Sequence, residues 1–106
     1  MVADRHNNGK PLYSLLPLES LEGVVRVLEF GAKKYAKNQW KLGLTEESCL
    51  DSMMRHLSKE LEGIKLDEES GLEHIDHMIC NLLFIKWYRQ NPKEVVTHTH
   101  ADDYQY

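Results

Sequence analysis

From Leu72 to Tyr88 the chain reads LEHIDHMICNLLFIKWY, free of proline and glycine and apolar on nearly every side of a helix. At about 100° per residue, Leu72, Ile75, Met78, Ile79, Leu82, Leu83 and Ile85 share one broad face. Phe84, Trp87 and Tyr88 cover much of the opposite side. A helix of this girth needs packing partners on several sides, and that requirement constrains the fold more than any other stretch. Set into the apolar surface is a narrow polar strip, because His74, His77 and Asn81 fall within about 60° of one another on the same wheel. Such a strip is paired, hydrated in a cleft, or bound to something.

Two more amphipathic stripes precede it. Pro17 opens the first, at a position where a missing N–H costs nothing. Leu18, Leu21, Val25, Leu28, Ala32 and Tyr35 follow at spacings of three and four, predicting a helix over about 18–35. Thr45 is a suitable N-cap for the second, with Glu46 and Glu47 in the turn where the helix dipole favours negative charge. Leu50, Met53, Met54, Leu57, Leu61 and Ile64 form its stripe, and Gly63 stops it, predicting a helix over about 46–62. Ser70-Gly71-Leu72-Glu73 reads as a capping box, predicting a third helix over about 71–90 that ends before Asn91-Pro92. The expected fold is all-α, with an irregular segment 1–16, a helical domain 17–91 and a tail 92–106. Three helices in 106 residues cannot cover the third one on all sides. A bundle completed by further copies of the chain is therefore expected, a homo-oligomer with Phe84, Trp87 or Tyr88 buried between chains.

Composition narrows the function classes. With 42% hydrophobic and 28% charged residues the chain is globular rather than disordered. No apolar run approaches the ~18 residues of a membrane span and no signal-peptide pattern opens the chain, so a cytoplasmic protein without membrane contact is expected. Cys49 and Cys80 are too few and too isolated for a disulfide framework or a paired-cysteine zinc site, and read as small buried residues. A net charge of −4 argues against long nucleic acid as a partner. It does not argue against a small phosphorylated substrate, because a divalent metal can sit between acidic side chains and a polyphosphate. Ten of the 17 acidic residues lie between Glu46 and Asp76.

In that region His56 and Glu60 are spaced i, i+4 beside the apolar stripe of the second helix. An antiparallel pair of helices brings them opposite His74 and His77, and facing helices that present imidazole and carboxylate are a recurrent way to build a metal site in a bundle. The competing reading makes each histidine a hydrogen-bonded structural residue. Arg55 admits two readings as well, a phosphate ligand or a surface partner of Asp51. In the tail, His98 and His100 share one face of an alternating segment close to Asp102 and Asp103, a second and weaker metal arrangement.

The motifs KPLYSLLPLESLEGVVRVLEFGAKKYAKNQW, then RHL, then LDEESGLEHIDHMICNLLF occur in that order. In this order they resemble the phage dATP/dGTP diphosphohydrolase N-terminal family over about residues 10–86. The most specific element is D-x-E-S-G-x-x-H-x-x-H, from Asp67 to His77. That family is similar to the MazG-like all-α nucleoside triphosphate pyrophosphohydrolases. The resemblance implies a metal-dependent helical oligomer that hydrolyses a purine deoxynucleoside triphosphate, dGTP or dATP, to the monophosphate and pyrophosphate. The MazG-like signature is E-x-x-E on one helix and E-x-x-D on the next, carboxylates that hold magnesium. The second helix here has no E-x-x-E. The third spells Glu73-x-x-Asp76, but the family string places His74 and His77 at the key positions, and the histidines are preferred. The implied metal set is His56, Glu60, His74 and His77. Asp67 or Glu69 would act as ligand or general base, Lys34 and Arg55 would hold phosphates, Tyr35 and Trp40 would stack on the base, and Asn81 would contact substrate. Imidazole ligands suit manganese, cobalt, iron or zinc better than magnesium. Two rival readings remain, an HD-like metal phosphohydrolase acting on nucleotides and a non-catalytic helical oligomerisation module.

Overall fold

A computed structural model describes residues 8–42, 44–92 and 105–106. Three α-helices carry the architecture: α1 over Glu22–Lys34, α2 over Glu46–Leu61 and α3 over His74–Gln90. Short 3-10 turns at Tyr13–Leu15, Leu18–Leu21 and Gln39–Leu42 fill the approaches, and the described residues contain no strand. The fold is all-α. No helix of the described residues is long and apolar enough to cross a membrane.

Local chemistry sets the ends of α2 as expected. Thr45 adopts extended backbone and its hydroxyl accepts the Ser48 N–H at 3.0 Å. At the other end Gly63 takes a left-handed φ of 83°. The Gly63 N–H then reaches Glu60 O, and the Ile64 N–H reaches Lys59 O, both at 3.0 Å, the paired bonds of a Schellman cap. The first helix begins as a 3-10 turn after Pro17 and becomes α-helical only at Glu22.

The start of α3 differs from the sequence expectation. The helix begins at His74, and Glu73 is its N-cap without a side-chain capping bond. Ser70 does not cap it either, since its hydroxyl accepts the Leu72 N–H and meets His77 Nε2 at 2.7 Å. A closed loop delivers the helix instead. An antiparallel bridge joins Leu66 to Glu73, the Asp67 N–H bonds Leu72 O at 2.7 Å, and the His74 N–H bonds Lys65 O at 2.9 Å. Asp67 Oδ2 accepts the Ser70 N–H, and Gly71 supplies a left-handed φ of 73°.

The helices α2 and α3 run antiparallel, as the pairs Glu46–Arg89, Ser52–Asn81 and His56–His74 show. The core comprises Val24, Val27, Trp40, Leu44, Cys49, Cys80, Phe84, Ile85, Tyr88 and Tyr106. Trp40 stacks on Phe84 with centroids 4.4 Å apart, and the Tyr88 hydroxyl donates to Trp40 O at 2.6 Å. Both cysteines are buried free thiols, and burial pushes Cys49 up to about 12.

The face of α3 that enters the protomer is also not the expected one. It carries His74, Asp76, His77, Cys80, Asn81, Phe84, Ile85 and Tyr88, whereas Ile75, Ile79, Leu82 and Leu83 are 38–48% exposed. The cause lies in α2, whose inward residues Ser48, Cys49 and Ser52 are small and mostly polar. They match the polar strip better than a leucine face. Phe84 and Tyr88 are consumed inside the protomer by Trp40, so they are not the residues left for another chain.

Candidate functional site

Where the C-terminal half of α2, the closed loop and the start of α3 meet, a cavity of about 350 Å³ opens. Its walls include Phe30, Arg55, His56, Asp67, Glu69, His74, His77 and Tyr106. One ligand atom each from His56, Asp67 and His74 lie within 4.8 Å of one another. His56 Nδ1 and His74 Nδ1 are 2.8 Å apart, and His56 Nε2 is 3.0 Å from Tyr106 O. A carbonyl oxygen only accepts, so His56 Nε2 carries the proton and its Nδ1 presents a lone pair toward His74 and Asp67. An ion held at about 2.1 Å from both nitrogens places them roughly 3.0–3.4 Å apart, so a few tenths of an ångström of ring movement admits it. The donor set of two imidazoles and one carboxylate fits a transition metal or zinc.

The electrostatics favour neutral rings at His56 and His77 and an ionised Asp67. Burial lowers the His56 pKa, against the opposing pull of its bond to Tyr106. His77 is pushed down to about 4, first by burial and then by the neighbouring His56. Burial raises the Asp67 carboxyl, but the two Ser70 hydrogen bonds and His77 outweigh it and hold the group below its ordinary value. His77 stacks on His56 at 4.4 Å and 12° rather than joining the ligand group. Its Nδ1 is buried without a hydrogen-bond partner among the described residues, the kind of orphan that a water or ligand relieves.

The other expected site residues scatter. Glu60 turns away to Lys65 at 2.7 Å. Glu69 pairs with Lys34 at the cavity rim, and that bond raises the Lys34 pKa. Arg55 lines the cavity and meets Gln105 rather than Asp51. Tyr35 contacts Gln105 and lies 5.6 Å from the Tyr106 ring. Trp40 is in the core, stacked on Phe84 and met edge-on by Trp87, buried and away from the cavity, so it offers no ring face to a base there. Asn81 is 1% exposed and donates to His77 O and Tyr106 O at 2.9 and 3.1 Å. His98, His100, Asp102 and Asp103 lie outside the described residues.

A second, shallower cavity brings Glu73 and Asp76, which the sequence reading set aside in favour of the histidines, together with Glu19 and Glu22, which it passed over. Glu19, Glu22, Glu73 and Asp76 line it together with Arg26. The E-x-x-E missing from the second helix thus stands one helix earlier, as Glu19 and Glu22, and faces Glu73-x-x-Asp76. Asp76 is 7% exposed, and its carboxylate lies so close to Gly23 that a Cβ there would collide with it. Burial, then Glu73, raises its pKa. Arg26 pairs with Glu22 and Glu29, leaving Asp76 without a charge partner among the described residues. The signal available beforehand was the i, i+3 spacing of Glu19 and Glu22.

The dATP/dGTP diphosphohydrolase N-terminal family matches residues 2–98. The chain belongs to that family. A protein of Salmonella phage PMBT28 named dATP/dGTP diphosphohydrolase is 35% identical over 91 residues, covering 86% of this chain and 31% of the relative. The chain therefore spans about a third of that relative's length. No solved structure matches it.

Proposed function

We propose that the chain is the helical domain of a metal-dependent hydrolase that converts a purine deoxynucleoside triphosphate to the monophosphate and pyrophosphate. The observation that carries this reading is the convergence of His56, His74 and Asp67 in a cavity rimmed by Arg55 and the Lys34–Glu69 pair. Family membership and the name of the phage relative support the substrate class. His56, His74 and Asp67 would hold a divalent ion, which when bound would supply charge neutralisation at the phosphate oxygens and a water of lowered pKa. The protein's part is to hold His56 in one tautomer through Tyr106, to keep Asp67 ionised through Ser70, and to offer Arg55 to a phosphate. Either Asp67 or Glu69 accepts the proton of the attacking water. The bond from the α-phosphorus to its bridging oxygen then breaks and pyrophosphate leaves.

The working unit is a homo-oligomer. Ile75, Ile79, Leu82 and Leu83 of α3, with Leu15 and Leu18 before α1, are all more than a third exposed, an apolar surface that a further copy of the chain would cover.

A second placement of the metal is favoured by Asp76, a carboxylate buried beside three glutamates with no paired cation among the described residues. An all-oxygen set of Glu19, Glu22, Glu73 and Asp76 suits magnesium. The two placements separate in one assay. Protein stripped with a chelator is given dGTP with magnesium, manganese or cobalt, and pyrophosphate release is followed in the wild type, His74→Ala and Asp76→Asn. The histidine reading expects His74→Ala to be inactive with every metal and Asp76→Asn to turn over. The reverse pattern assigns the metal to the carboxylates, and release without any metal contradicts both.

A further inference from the structure

The outward stripe of α3 ends in opposite charges. Ile75, Ile79, Leu82 and Lys86 fall within about 60° of one another around the helix, and all four are exposed. At the N-terminal end Ile75 and Ile79 form one wall of the shallow carboxylate cavity. At the C-terminal end stands Lys86, which forms no ion pair among the described residues.

The cavity is short of a cation. Arg26, which lines it, is already held by Glu22 and Glu29. Glu19 and Glu73 are exposed at the rim and have no ion pair among the described residues. Asp76 lies beneath them at 7% exposure and is likewise unpaired among those residues. An ammonium on an apolar stem fits such a place, because the wall of Ile75 and Ile79 would seat the stem while the rim carboxylates take the charge.

The spacing along α3 supplies that group from a second copy. The midpoint of Ile75 and Lys86 falls between Cys80 and Asn81, and the midpoint of Ile79 and Leu82 falls at the same place. A two-fold axis there, relating antiparallel helices, sets Ile79 against Leu82 of the second copy and Lys86 against its Ile75, and the reverse. A parallel pairing would instead oppose Lys86 to Lys86 and acid to acid. The antiparallel one also opposes the two helix dipoles.

We propose that a second copy of the chain docks on this face with its α3 antiparallel, and that Lys86 of each copy enters the carboxylate cavity of the other, between Glu19 and Glu73. The inference rests on the homo-oligomer reading above and gives it a geometry. The cation of this cavity is then an ammonium of the chain itself rather than a metal ion.

The test is the dimer dissociation constant, measured by sedimentation equilibrium in chelator so that no metal takes part. Lys86→Met removes the charge and keeps an apolar stem and a good helix former. A purely apolar contact would tighten on that change. The paired one should weaken by about five- to tenfold, since two ion pairs are lost per dimer, and the wild-type constant should rise with salt. Lys86→Glu should weaken the dimer by roughly a hundredfold, because it sets like charges together. Adding Glu19→Lys and Glu73→Lys to Lys86→Glu should restore it to within about tenfold of the wild type. Asp76 is unchanged in every variant, because its burial already costs the protomer stability. A wild-type dimer whose constant is unchanged or tightened by Lys86→Met overturns this docking geometry and leaves the homo-oligomer reading standing. A wild-type chain that stays monomeric at micromolar concentration overturns both.

Discussion

His56 and His74 face each other nitrogen to nitrogen at 2.8 Å across the α2–α3 interface, eighteen residues apart in sequence. Asp67, from the loop that joins the two helices, closes the group. The loop thus does two jobs: it positions the carboxylate, and through the Lys65–His74 backbone bond it fixes where α3 begins.

Replacing one ring of that pair separates ligand from scaffold. His74→Ala should reduce manganese affinity by at least about tenfold, since losing even a residue that only orients a ligand costs that much, while far-ultraviolet circular dichroism stays close to wild type. Calorimetric titration of manganese measures the first and spectroscopy the second. Unchanged affinity would remove His74 from the ligand set.

Asp76 makes an independent prediction about stability. Its pKa is raised, so the folded chain binds a proton more readily than the unfolded one, and stability is lost as pH climbs above the ordinary carboxylate range. In chelator at pH 7, Asp76→Asn should therefore stabilise the fold by about 1 kcal/mol, roughly 4–8 °C in melting temperature for a domain of this size. A fall in melting temperature would mean that the carboxylate has a favourable partner.

Helix limits could be read wherever a local rule acted alone. Thr45 and Gly63 bound α2 because cap chemistry depends on a few adjacent residues. Ser70-x-x-Glu73 misled because the same pattern can serve a different local need: Ser70 is recruited by His77 and by the Leu72 N–H, and the Leu66–Glu73 bridge delays the helix to His74. The pairing of His56 with His74 was legible from spacing and antiparallel packing. Which face of α3 turned inward was not, since it depended on how small Ser48, Cys49 and Ser52 are on the opposing helix. Tyr106 gave no local signal at all, because its contacts with Gly31, Ser52 and Asn81 span the chain.

The exposed side of α3 predicts assembly. Ile79→Glu and Leu82→Glu each place a charge in the apolar patch without touching the protomer core, and should shift the chain toward smaller species by multi-angle light scattering at micromolar concentration. A wild-type chain that is already monomeric would contradict the homo-oligomer.

Acid should loosen the fold through His77. With a folded pKa of about 4 against an ordinary value of about 6.5, the unfolded chain takes up the proton first as pH falls. Stability is therefore intact above about pH 6.5 and declines down to about pH 4, by roughly 3 kcal/mol at most, with His56 acting in the same direction. Urea unfolding in chelator at pH 7 and pH 4.5 measures the loss, and His77→Asn should diminish it. Equal stability at both values would mean that His77 is readily protonated in the folded state.

The most direct test of the hydrolase reading is the identity of the products. Phosphorus NMR of the chain incubated with dGTP and manganese should show equimolar dGMP and pyrophosphate, with no intermediate dGDP and no free triphosphate, and no change in the presence of excess chelator. Triphosphate with deoxyguanosine would assign an HD-like phosphohydrolase chemistry instead. An unchanged spectrum with every metal, from a correctly folded chain, would contradict the catalytic account altogether.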